Sequence, residues 1–199
     1  KESMGRKIII WFVIFTVLLL IVPFFWGTYN RLIKREENVK MAWSQVENQY
    51  QRRADLIMNL AETVKGYASH EQETFRQVIE ARANATNTNI ESDQLNAENL
   101  QQFSEKQAEL SYALSRLIMI VENYPDLKAN ENFIMLQGQL EGTENRIGVE
   151  RKRFNETVRV YNTYRRRFPK NLVVGLFGFE KQDYFESAPD SDTKPDVKF

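Results

Sequence analysis

Apolar positions along the chain fall into one unbroken run followed by three periodic stretches. Ile8 to Trp26 is 19 residues without a charge, with Thr16 its only hydroxyl. At about 1.5 Å per residue such a helix reaches roughly 28 Å, close to the hydrocarbon thickness of a bilayer. Trp11 and Trp26 stand toward its two ends, where amphipathic rings favour the interface. A secretory signal peptide would have a shorter apolar core and a small-x-small cleavage site, yet Pro-Phe-Phe-Trp-Gly follows here. The pattern predicts an uncleaved transmembrane helix over residues 8–26, after a short flank at 1–7.

Beyond the anchor, apolar residues step by 4 and 3. From Thr28 to Thr86 the seam reads Val39, Trp43, Val46, Tyr50, Arg53, Ile57, Leu60, Val64, Tyr67, Glu71, then resumes after one extra residue at Phe75, Val78, Arg82. A second stretch over residues 93–124 and a third over 130–168 repeat the spacing, which is that of helices packed at a shallow angle. No comparable stretch alternates with period two. The polar segment 84–94 reads as a loop, with Ser92 or Asp93 as the next N-cap. Pro125 ends the second helix, Asn130 caps the third and Pro169 closes it. Asn171–Phe185 has Gly175 and Gly178 among bulky apolar residues and predicts a short fourth helix or packed turn. The expected fold is all-α: a transmembrane helix, then an up-down antiparallel bundle over 27–185 with three long helices and a short fourth. Residues 186–199 are expected to form an extended acidic tail.

Composition narrows function. The chain has 27 Lys and Arg, 27 Asp and Glu, one histidine and no cysteine. A chain-wide basic field for nucleic acid is absent, as are disulfides, thiolate metal sites and a cysteine nucleophile. His70-Glu71 lacks the second histidine of a zinc helix, since Thr74 stands there, and one histidine cannot furnish a di-iron bundle. We therefore expect no enzyme activity, no catalytic residue, no metal and no cofactor.

Several segments together are familiar: RRADLI (Arg52 to Ile57), VKGYASHE (Val64 to Glu71), YPDLKANENF (Tyr124 to Phe133), GTENRI (Gly142 to Ile147), Tyr161-Asn162 before Phe168-Pro169, GLFGF (Gly175 to Phe179), Tyr184-Phe185 and PDVKF (Pro195 to Phe199). In these the chain resembles the LemA family over residues 28–199. The resemblance implies a bacterial protein with a helical bundle on an N-terminal membrane anchor, and it implies no reaction. Met58 stands where the family usually has Pro, which favours a straighter first helix.

Charges at seam positions (Arg53, Glu71, Arg82, Glu144, Arg151, Arg165) are costly in a core unless paired. With the third helix parallel to the first, Glu71 would lie within a turn of Arg151, so an ion pair is expected there. Basic clusters at 151–153 and 165–167 read as stems covering apolar surface and complementing a helix C-terminus, with a nucleic-acid patch or an anionic-lipid contact as the functional alternatives. A helix over 28–86 would run about 88 Å against about 48 Å for 93–124, leaving Val39, Trp43, Val46 and Tyr50 uncovered. That stripe predicts a homo-oligomer, a trimer or larger. The functional expectation is a single-pass scaffold in the bacterial inner membrane that binds itself and other membrane proteins, with no nucleic-acid partner; the soluble side is left open. The alternative is a sensor whose charged seam binds a small anionic ligand or lipid.

Overall fold

The computed structural model of the chain describes residues 2–88, 90 and 94–185. They form α1 (Glu2–Lys65), α2 (Gln72–Asn87), α3 (Ala97–Val121), α4 (Pro125–Lys128), α5 (Glu131–Arg166) and α6 (Lys170–Phe177), with no strand among them. The all-α fold and the long apolar N-terminal helix are as the periodicity predicts. The acidic tail at 186–199 and the proposed caps Ser92 and Asp93 lie outside the described residues; the cap observed for α3 is Asn96, whose side chain accepts from the Asn99 N–H at 2.9 Å. The described residues divide into two compact units, one of residues 2–39 with 157–181 and one of 40–156 with 182–185.

In the second unit the chain runs up, down, up and down. The first helix does not continue to Thr86: it ends at Lys65, and residues 66–71 reverse the chain into α2. Gly66, Ser69 and His70 are weak helix formers, and the extra residue in the seam between Glu71 and Phe75 is the mark of this turn. Its apex is held by tertiary contacts. Ala68 is buried, and Tyr67 Oη accepts from the Asn130 side-chain amide at 2.9 Å. Asn130 also caps α5 as expected, its Oδ1 accepting from Phe133 N–H at 3.1 Å. Antiparallel packing of α2 on α1 brings Arg82 to Asp55 at 3.0 Å. One core joins Ile57, Leu60 and Val64 to Phe75, Val78, Leu110, Leu117 and Leu127. Each fully buried aliphatic side chain contributes about 1.5–3 kcal/mol.

This reversal removes the argument for an uncovered stripe. Within the unit, α1 contributes residues 40–65 and α5 residues 131–156, each about 39 Å long, against about 38 Å for the 25 residues of α3. Val39, Trp43, Val46 and Tyr50 are all buried within the single chain. Trp43, 0% exposed, has Phe103, Phe154 and Phe185 around it at 5.3, 5.6 and 6.1 Å between ring centroids. Its indole N–H donates to the Ile90 carbonyl at 3.3 Å, pinning the α2–α3 loop.

In the first unit α1 carries a stretch long and apolar enough to cross a membrane, and its side chains from Ile9 to Val22 are exposed. Past Trp26, the buried residues Thr28 and Leu32 mark where α1 joins the fold. The end of α5, a turn through Pro169 and α6 complete this unit. Tyr29 packs on Phe177 and Phe179 at 4.9 and 5.6 Å. Gly178 ends α6 in the left-handed region (φ 71°), its N–H bonded to Val174 O at 3.0 Å, a conformation that glycine adopts without a Cβ penalty. Val173, Val174, Phe179 and Phe185 are buried, as expected of a packed terminal segment, whereas Leu172, Leu176 and Phe177 stay exposed.

Candidate functional site

Three of the six seam charges, Arg53, Glu144 and Arg151, lie about Tyr50 in the second unit. Arg53, on α1, has a side chain 6% exposed and donates to Ser111 Oγ, which in turn donates to the Gln107 carbonyl at 2.9 Å. The Arg53 guanidinium also lies 2.5 Å from Glu144 Oε1, an ion pair whose carboxylate is 48% exposed. The expected Glu71–Arg151 pair is not formed. Glu71 is the N-cap residue of α2, while Arg151 lies against the Phe185 ring at 4.1 Å and hydrogen-bonds to Tyr50. The reason is the turn at 66–71: α5 runs antiparallel to α1, placing Glu144 opposite Arg53 and Phe154 opposite Trp43. Burial raises the Tyr50 hydroxyl pKa, while the charges of Arg151 and Arg53 oppose the rise. Among the other seam residues, Arg82 pairs with Asp55 and Arg165 Nε donates to the Phe179 carbonyl at 2.9 Å. His70 is an exposed turn residue.

Residues 182–185 belong to the same unit. Asn155 clamps the Phe185 backbone with two bonds of 2.8 Å, its amide donating to the carbonyl and its Oδ1 accepting from the N–H. Asp183 accepts from the Ala97 N–H at 3.2 Å, so a carboxylate meets the N-terminus of α3. The Tyr-Phe doublet at 184–185 signalled a packed segment. Nothing in the sequence pointed to Asn155 as its clamp.

The first unit holds a different arrangement. A cleft of about 280 Å³ is lined by Arg35 of α1 and by Arg159, Val160, Thr163, Tyr164 and Arg167 from the end of α5. Two cations lie over the Tyr164 ring, the Arg35 guanidinium 4.5 Å and Lys170 Nζ 3.9 Å from its centroid. Partial burial, then the charges of Arg167, Arg31 and Arg35, push the Lys170 pKa down. Between residues 27–39 and 157–181 there are nine basic and three acidic residues, a local excess of six. Beside the cleft, Tyr161 is fully buried and donates to the Glu180 carbonyl at 2.9 Å; burial and the nearby Glu36 carboxylate push its pKa up to about 12. The sequence showed the basic run at 165–167 but not that it would share a surface with Arg31 and Arg35, some 130 positions away.

Similarity to known proteins agrees with these features. Over 184 aligned residues the chain is 24% identical to magnetosome protein MamQ 2 of Paramagnetospirillum magneticum, covering 83% of this chain and 67% of that protein. It is 32% identical over 81 residues to magnetosome protein MamQ of Magnetospirillum gryphiswaldense, covering 41% of this chain and 30% of that one. Protein LemA of Metamycoplasma hominis is 21% identical over 165 residues, with 82% and 72% covered. The family model described as LemA family matches residues 42–199, which hold the paired seam and the α5 side of the basic cleft; the chain belongs to the LemA family.

Proposed function

We propose that the protein is a non-catalytic scaffold, tethered to the bacterial plasma membrane by α1, whose bundle presents its outer surface to other proteins and to further copies of itself. The observation that carries this reading is the state of the interior. Arg53 is engaged by Ser111 and Glu144, Arg151 by Tyr50 and Phe185, and the space around Trp43 is filled by aromatic rings. Seam arginines engaged by the chain's own side chains favour a rigid building block over a ligand pocket. The apolar side chains left outside include Tyr112 and Met119, seven residues apart on one face of α3. The relatives' names also describe components of magnetosomes rather than a reaction.

The test is photo-crosslinking in intact membranes of the full chain, with a benzophenone amino acid at Tyr112 or Met119 and at the buried Leu110 as control. Discrete adducts from the outer positions, including one at twice the 23.5 kDa chain mass, are expected, with none from Leu110. Outer positions that yield no protein adduct would overturn the scaffold reading.

A further inference from the structure

α6 poses a physical problem that the bundle does not solve. Val173 and Val174 are buried, while Leu172, Leu176 and Phe177 are exposed, and Phe168 just before the helix is 80% exposed. A short helix that is apolar on both its inner and outer sides is stable only where the outer side also meets an apolar medium. Its position supplies one. Tyr29, which holds Phe177 and Phe179, lies three residues beyond Trp26, about 4.5 Å further along α1 from the end of the apolar run.

We propose that this face docks on an anionic bilayer surface, with α6 and Phe168 seated in the interface and the basic cleft holding lipid phosphate groups. The inference rests on the anchoring of α1 in the membrane and adds what the neighbouring surface binds there. Charge and geometry agree with it. Side chains on a helix lean toward its N-terminus, so Arg31 and Arg35 lean along α1 toward the apolar run. No ion pair to a carboxylate is found for Arg31, Arg35, Arg159, Arg167 or Lys170 among the described residues. The repulsion among Lys170, Arg167, Arg31 and Arg35 is relieved when a phosphate sits between them. An interfacial helix combined with a polybasic cluster is a two-part membrane contact, in which apolar burial gives depth and charge selects anionic headgroups.

The chain has no cysteine, so a single introduced thiol labels uniquely. Full-length Leu176→Cys, with Tyr112→Cys as control, carries an environment-sensitive fluorophore and is reconstituted into vesicles of phosphatidylcholine alone or with phosphatidylglycerol. The probe at 176 is expected to be quenched by a nitroxide lipid and shielded from aqueous iodide, more so with phosphatidylglycerol; the probe at 112 is expected to behave in the opposite way. The triple variant Arg35→Gln, Arg167→Gln, Lys170→Gln is expected to retain severalfold less phosphatidylglycerol than wild type on detergent extraction, at unchanged helicity. Iodide quenching at 176 as free as at 112, or unchanged lipid retention by the triple variant, would overturn the proposal. So would protection of residues 159–170 from hydrogen exchange by inorganic phosphate in lipid-free detergent with no further protection from phosphatidylglycerol, which would mark a small-anion site. A chain that fails to float with vesicles overturns the anchor and this inference together; one that floats while position 176 stays wet overturns this inference alone.

Discussion

Replacing Trp43 separates an intramolecular core from an assembly surface more cleanly than any other substitution. The side chain is fully buried, is ringed by Phe103, Phe154 and Phe185, and holds the Ile90 carbonyl. Truncating a core Trp to Ala costs about 3–5 kcal/mol in lost transfer energy and residual cavity. The Ile90 carbonyl, left without its donor, adds about 1 kcal/mol. The expected loss is therefore about 4–6 kcal/mol, a large part of the roughly 5–15 kcal/mol that holds a domain folded. For a chain of this size it corresponds to a fall in Tm of roughly 10–20 °C. Trp43→Phe keeps a ring against the three phenylalanines and forfeits mainly the indole N–H bond, so about 1–2 kcal/mol is expected. Thermal unfolding of the full chain in mild detergent, followed by circular dichroism together with mass measurement, reads both stability and assembly. If Trp43→Ala dissociates an oligomer while leaving Tm within a few degrees of wild type, the aromatic core has been assigned to the wrong molecule and the reasoning is refuted.

Glu144→Ala should destabilise more than Arg53→Leu: the first leaves a buried guanidinium with only Ser111, the second leaves a half-exposed carboxylate in water, and denaturant midpoints should rank them so. Gly138→Ala, Gly142→Ala and Gly148→Ala meet open space within α5, and each is expected to raise stability by about 0.5–1 kcal/mol, seen as a higher Tm. Burial raises the Glu47 pKa, against a smaller opposing effect of the Trp43 hydrogen bond. A carboxyl whose folded pKa is raised gives stability that is complete below its unfolded value and lost as pH rises through the folded one. Glu47→Gln should thus raise Tm at pH 7 and leave it unchanged at about pH 3, below the range where the carboxyl titrates. Asn155→Ala should speed hydrogen exchange at Phe185, whose N–H it holds, without melting the bundle; unchanged exchange there would show that the rings alone secure the segment.

Local physics made much of this protein legible without a structure. Nineteen uncharged residues from Ile8 to Trp26 can satisfy their backbone in a bilayer only as a helix, and seams stepping by 3 and 4 leave no alternative to helices packed along one another. Asn130 as a cap and Gly178 in the left-handed region follow from properties of single residues. Direction was another matter. A heptad seam states which residues face inward but not whether the chain continues or turns back, and the one-residue slip after Glu71 is compatible with either. The turn at 66–71 is decided by tertiary contacts, the burial of Ala68 and the Asn130–Tyr67 bond. From that single reversal the rest follows: α5 lies antiparallel to α1, Arg53 meets Glu144 rather than Glu71 meeting Arg151, and Trp43 is covered by its own chain. The basic cleft was hidden for a related reason. Arg35 and Arg167 are each an ordinary helix-surface cation in the sequence, and their shared field exists only because packing places them around one tyrosine.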